Sequence, residues 1–231
     1  MTSIRLFLGA LALSGCGLIS SNVTNFDLDL PSKTFSVDTS GWQVSQGAAD
    51  LYLGMSCNQA PTVCSSAVAN ACPMNCSGTC DTTSQKCDLG LDVAVHQLID
   101  LLTEKPELQT INNAPIIHVT IDSITYDVSN NTLNVDTPAM NVYVAPMSVM
   151  DPNDPMAHQI GTIDPIPAMT TVASKAMTYT SDGQATLVMT MGDFKNPFNV
   201  IVGSTLTLKA GSMVPTGKLD AGVTIKAHAA P

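Results

Sequence analysis

Six of the seven cysteines of this 231-residue chain lie between residues 57 and 87, at Cys57, Cys64, Cys72, Cys76, Cys80 and Cys87. No other feature restricts the fold as strongly. The residues around them are mostly Ser, Thr, Asn, Gly and Ala, which bury too little apolar surface to order a segment unaided. An even number of cysteines in such a segment reads as a disulfide-stapled insertion with three bridges, for which fifteen pairings are possible. Zinc is the alternative, because Cys72, Cys76 and Cys80 repeat at helix-like intervals. The Cys-x2-Cys knuckles of zinc sites are absent from the sequence, and so is the Cys-x-x-Cys of a redox pair. Three disulfides require an oxidising compartment, so the chain is expected to be exported.

The seventh cysteine belongs to a different pattern. The sequence opens MTSIRLFLGALALSGC, with Arg5 as its one charge and an apolar run from Leu6 to Leu13. That run is far shorter than the ~20 apolar residues needed to span a bilayer, and it reads as the core of a signal peptide. Leu13-Ser14-Gly15-Cys16 resembles the lipobox of bacterial lipoproteins. The resemblance implies that residues 1–15 are removed as a signal peptide, that the Cys16 thiol receives a diacylglycerol, and that the new amino terminus is acylated, for example by palmitate. The competing reading is an ordinary secretory signal with a cysteine near its end. Two or three acyl chains anchor a protein stably where one does not. Gly17, in place of an aspartate, points to the outer membrane of a Gram-negative envelope. Residues 16–25 then form a polar lipidated tether that reaches at most roughly 30–35 Å.

Charge narrows the partners. Nine Lys and Arg stand against 19 Asp and Glu, a net charge of −10, with no basic cluster. Nucleic acid is excluded as a partner, since the phosphate-neutralising contribution is missing. A polybasic grip on anionic lipid is missing too, so acyl chains on Cys16 alone would hold the protein to its membrane. Catalytic signatures are also lacking. There are two glutamates, Glu104 and Glu107, and four scattered histidines, without a His-Glu-x-x-His, Gly-x-Ser-x-Gly or Gly-x-Gly-x-x-Gly. Gly211 to Lys218 imitates a phosphate loop but has five residues between its glycines, and Leu219 stands where a hydroxyl is needed. No cofactor is expected, and no catalysis, although a dispersed Ser-His-Asp site would leave no trace in sequence.

Residues 26–231 read as one β-rich domain carrying the insertion at 57–87. Phe26, Leu28 and Leu30 alternate with aspartates until Pro31, and Phe35 and Val37 resume the pattern. Leu89 to Val95 alternate likewise, while 97–102 suits either strand or helix. Thr103 to Leu108 reads as a solvated link. Ile117, Val119 and Ile121 share one phase and Ile124, Tyr126 and Val128 the other, which predicts a bulge at Asp122-Ser123. Ser129-Asn130-Asn131-Thr132 then suggests a turn, making 116–144 a hairpin. Residues 145–168 are irregular and proline-rich around a short strand at Ile160–Ile163, and Val172 to Thr180 is extended. Leu187, Val188, Met191 and Phe194 predict an amphipathic helix within 182–195 that Asn196-Pro197 ends. Gly203-Ser204 resembles a two-residue hairpin turn, and Leu219 to Ala227 alternate again. The sum is a mainly β fold, an antiparallel β-sandwich or partly open barrel with one or two short helices. Asn196-Pro197 ahead of a hydrophobic strand resembles the late-embryogenesis-type sandwich domains of some envelope proteins, a resemblance confined to that dipeptide.

Two loops carry candidate ligands. Asp151-Pro152-Asn153-Asp154 offers oxygens to Ca²⁺, although Asx-Pro turns produce the same letters. Met147, Met150, Met156 and His158 offer soft donors suited to Cu(I), against the plainer reading that Met fills gaps in a core short of aromatics. The expected function is therefore a lipid-anchored, non-catalytic binding or scaffolding module of the cell envelope, with an envelope protein as partner. A carrier of a soft metal or of a small apolar ligand is the alternative.

Overall fold

A computed structural model describes residues 26–111 and 117–230. The lipobox, Cys16 and the whole tether lie outside the described residues. In chain order the strands are β1 (Phe26–Asp27), β2 (Lys33–Asp38), β3 (Cys76–Asp81), β4 (Lys86–Ile99), β5 (His118–Asn131), β6 (Met140–Pro146), β7 (His158–Ile163), β8 (Val172–Ala176), β9 (Thr178–Tyr179), β10 (Phe198–Leu208) and β11 (Lys218–Ala230). The helices are α1 (Gln46–Leu53), α2 (Val63–Ala67), α3 (Leu101–Glu104) and α4 (Ser181–Gly192), with short 3-10 turns between. The strands form two antiparallel sheets, so the chain is a β-sandwich and not a barrel. One sheet runs β1-β11-β5-β8, with β2 also on β11; the other runs β3-β4-β10-β6-β7-β9.

Period-two alternation places the core as the sequence implies. Leu219, Ala221, Val223, Ile225 and Ala227 of β11 are buried against Phe198, Val200 and Val202 of β10. Each fully buried aliphatic of this kind contributes roughly 1.5–3 kcal/mol. The first strand continues past β1, because the Leu28 and Leu30 N–H groups donate to Ala227 and Ile225 carbonyls at 2.8 and 2.9 Å. Pro31 interrupts it, and β2 resumes on the same edge with Phe35 opposite Ala221. The bulge lies where the phase slips: Lys226 pairs with Ser123 and Ala227 with Ile121, which leaves Asp122 as the extra residue. Helix α4 is capped by the Thr180 hydroxyl, which accepts from the Gly183 N–H at 3.1 Å, and it closes one end of the core with Leu187 and Met191. It stops at Gly192, ahead of Asn196-Pro197. At 97–102 both readings apply in turn, since β4 runs to Ile99 and α3 begins at Leu101 on the Asp100 cap.

Several expectations are corrected. Residues 116–144 are not a hairpin: β5 and β6 lie in different sheets. The Asn131 side chain accepts from the Leu133 N–H and donates to the Pro167 and Thr170 carbonyls, each at 3.0 Å, and so pins a crossing between sheets. Alternation looks alike in both sheets, so the pattern does not show the crossing. Gly203-Ser204 is not a turn either. Strand β10 runs straight through it, with Gly203 paired to Ala94 on one side and Asn141 on the other. Thr103 to Leu108 is not a solvated link, because Leu108 is fully buried in the main core beside α3. The extended stretch 172–180 is divided, with β8 on β5 and β9 on β7.

The cysteine-rich segment is not coreless. Trp42 and the unforeseen helix α1 supply a second apolar cluster in which Ala49, Tyr52 and Leu53 pack on Cys57, Cys64, Cys72 and Cys87, over Leu89, Leu91 and Leu208. Residues 39–87 therefore form a cap, and it is continuous with the six-stranded sheet because β3 and β4 belong to both.

Candidate functional site

All six cysteines expected to be bridged are bridged. The pairs are Cys57–Cys80, Cys64–Cys87 and Cys72–Cys76, with Cα separations of 5.9, 5.3 and 6.1 Å. Cys80 and Cys87 face each other across β3 and β4, and each reaches a different partner in the cap, so two bridges fasten one hairpin to it. Paired in this way, these cysteines present no thiolate to zinc. The hairpin turn is held by Asp81. The Lys209 ammonium at 2.7 Å, followed by the Ser84 and Thr83 N–H groups, lowers its carboxyl to about 2. At the cap's entry Asp38 is likewise lowered to about 2 by the Lys218 ammonium and the Ser40 hydroxyl. Burial, with the nearby Asp88 charge, pushes the Tyr52 phenol up, and its hydroxyl donates to the Cys64 carbonyl at 2.9 Å.

The proline-rich loop after β6 is seated on the outer face of the six-stranded sheet. Buried Asn199 donates to the Met147 and Val149 carbonyls at 3.0 and 2.8 Å, and Val149 packs with Ala145 and Ile201. Pro152 sits on Gly203 so closely that a Cβ there would lie 2.8 Å from the ring. A mid-strand glycine is unfavourable for the sheet itself, and its place here is to admit this contact. Asp151 and Asp154 form Asx turns, with Asp151 Oδ1 accepting from the Asn153 N–H and side-chain amide at 2.8 and 3.2 Å and Asp154 Oδ1 from the Met156 N–H at 2.8 Å. One carboxylate oxygen of each aspartate offered as a Ca²⁺ donor in the sequence is thus engaged in a turn.

Beside this seated loop lies an open groove of about 640 Å³, within the ~300–1,000 Å³ range of ordinary ligand sites. Its floor is the centre of the sheet, where Asp92 faces Thr205, and Ala94, Gly203 and Asn141 stand in one row. Half-buried Tyr143 forms part of the wall with the loop's Asp151–Asn153. The Thr205 hydroxyl donates to Asp92 Oδ1 at 2.7 Å, and Asn141 Oδ1 accepts from Gln159 and Thr162. None of the lining residues is Lys, Arg or His.

The soft-donor set is regrouped. Met147, Met156 and His158 line a second groove, of about 700 Å³, on the other side of the loop, together with Met189 of α4. Met150 lies instead on the polar groove. Met147, Met156 and Met189 are 54%, 48% and 67% exposed, so the plainer reading fails for these three, while it holds for Met140, Met177 and Met191, which are buried in the main core. Between the sheets the gaps near Met140 and near Ile99 measure only about 30 and 10 Å³, room for about one water each. They offer no space to a small apolar ligand.

Sequence reasoning missed Asp92, Asn141, Tyr143 and Thr205, because they come from three strands and meet only through the sheet. One signal was present: a glycine inside an apolar strand pattern marks close backbone approach as well as a turn. Fold and grooves together define a disulfide-capped β-sandwich with an open, polar groove on one face. No protein-family model matches the chain, and no curated protein is detectably similar to it.

Proposed function

We propose that this protein is a lipid-anchored, non-catalytic binding module of the Gram-negative cell envelope, attached through acyl chains on Cys16 at the outer membrane, and that the polar groove is its binding site. The observation that carries the reading is the loop seated on Gly203. A mid-strand glycine and a buried Asn199 both serve to hold Asp151–Asn153 over the sheet centre, an arrangement the sandwich does not need for its own core. Three disulfides support an extracytoplasmic location. The chain path supports the anchoring. Phe26 pairs with Ala229 at one end of β11, and the cap joins the other end, where Asp38 pairs with Lys218, about 36 Å away. A tether ending at Phe26 would hold the first end near lipid and the cap outward.

The test is capture from detergent-solubilised envelopes on immobilised, disulfide-bonded protein, comparing the natural sequence with Ala94→Trp. Ala94 is exposed on the groove floor, so the indole fills the groove without entering either core. Specific capture lost with A94W is expected; equal capture by both would refute the groove as the site.

A second reading is favoured by the Met147, Met156, Met189 and His158 groove, whose thioethers and imidazole suit Cu(I). Competition with a Cu(I) chelator decides it. Retained affinity after changing all three methionines to Leu would reduce the groove to an apolar surface.

A further inference from the structure

The polar groove has a chemistry that selects its ligand, and we infer that it binds an uncharged saccharide of two or three sugar units. The inference rests on the proposed use of the groove as the binding site and adds the class of ligand. Three observations lead to it.

Charge comes first. Asp92 and Asp151 line the groove, with no cationic side chain among the lining residues, in a protein of net charge −10. A phosphate, uronate or other anion would lose its water against like charge. A compact metal cation is disfavoured as well, since among the described residues no three His, Cys, Asp or Glu side chains are grouped to hold one. Both carboxylates are also fixed as hydrogen-bond acceptors, Asp92 by the Thr205 hydroxyl and Asp151 within its Asx turn. What remains is a neutral ligand or an organic cation, and the uncharged amides and hydroxyls that outnumber the two carboxylates in the lining favour the neutral one.

The second observation is the kind of polar group. Asn75, Asn141 and Asn153 each bring an amide, which donates and accepts on one rigid plane. Asn141 has its oxygen engaged by Gln159 and Thr162, which turns its NH₂ to donation, while the bond to Asp92 Oδ1 leaves Oδ2 for acceptance. Sugar hydroxyls both donate and accept, and neighbouring hydroxyls on a ring are matched by planar amides and carboxylates. An apolar ligand would leave these groups without water or partners.

The third is the surface between them. Tyr143 presents an aromatic ring beside Pro152 where it covers Gly203, and Pro138 adds a further apolar wall. The C–H face of a pyranose packs on such a ring while its hydroxyls reach the rim, and a tyrosine suits this because one end is apolar and the other wet. The volume of about 640 Å³ in a groove open to solvent suits a short stretch of a longer glycan.

The experiment uses the disulfide-bonded protein against an array of neutral oligosaccharides, including maltotriose, cellotriose and triacetylchitotriose, with trigalacturonate as the anionic comparator. Calorimetry on the best neutral binder follows for the natural protein, A94W and Tyr143→Ala. Binding of at least one neutral sugar, with affinity falling about tenfold or more in both variants and none for trigalacturonate, is expected. If Y143A fails to fold, A94W decides alone, since Ala94 is exposed and belongs to no buried cluster. No neutral binder, an affinity unmoved by A94W, or preference for trigalacturonate overturns the inference. A negative array combined with A94W-sensitive envelope capture would overturn the saccharide and leave the binding-module reading standing.

Discussion

Removing single disulfides should expose an order of importance that loop length and packing predict. With Cys57–Cys80 intact, the shortest path from Cys64 to Cys87 runs back to Cys57, across that bridge and on from Cys80. It spans about fifteen residues, for which loop-closure entropy gives about 3 kcal/mol. Cys64 and Cys87 are also fully buried, so Ala at both positions forfeits packed sulfur worth roughly another 1 kcal/mol. Cys72–Cys76 closes a separation of only four residues, about 2 kcal/mol by the same relation. Of the Cys72–Cys76 pair only Cys72 is buried, which adds roughly half as much packing loss, so C64A/C87A should lose about one and a half times the stability that C72A/C76A loses. Trp42 provides the reporter. It is the sole tryptophan, lies buried in the cap, and donates its indole N–H to the Asp92 carbonyl at 3.0 Å. Guanidinium unfolding followed by its fluorescence reads the cap, and far-ultraviolet circular dichroism reads the sheets. Equal losses in the two variants, or a larger loss for C72A/C76A, would refute the reasoning.

Three other perturbations test separate parts of the account. Gly183→Ala puts a Cβ within 2.4–2.8 Å of the Ile160 backbone, which cannot step aside as a flexible side chain would, so a loss of roughly 1–3 kcal/mol is expected by thermal unfolding; an unchanged midpoint would contradict the tight seat of α4 on β7. Gly203→Ala should push Pro152 off the sheet and speed amide exchange across 147–157, whereas unchanged exchange would mean that the loop is not held there. Asp38 and Asp81 have carboxyls lowered from 3.8 to about 2, so their stabilisation is complete above pH 4 and is lost as pH falls from about 4 to about 2. The D38N/D81N variant should flatten that part of the stability profile, and an identical acid limb would show that these ion pairs do not contribute.

The sandwich was legible because burial on one face writes a period of two into sequence. Leu219 to Ala227, the bulge at Asp122 and the N-terminal alternation through Leu30 could all be read. Sheet membership was not legible, since β5 and β6 alternate in the same way whether they pair or part. Gly203 was misread because one residue type serves two needs, positive φ in turns and close approach in strands, and only Pro152 distinguishes them. The six cysteines announced their bridges but not their pairing, which depends on how the unforeseen helix α1 sets Cys57 and Cys64 under the hairpin. The polar groove left almost no mark, because its residues are single outward positions on strands far apart in sequence. The methionines showed the opposite difficulty. Their proximity in sequence grouped Met150 with Met147 and Met156, while the fold replaces it with Met189 from α4.

The account depends most on Cys16. Mass spectrometry of the protein extracted from bacterial membranes should find a chain beginning at Cys16, with diacylglyceryl and acyl groups on that residue and no unmodified thiol among the other six cysteines. A mature chain that begins elsewhere and is recovered without lipid from the soluble fraction would contradict the claim that this sandwich works at a membrane surface.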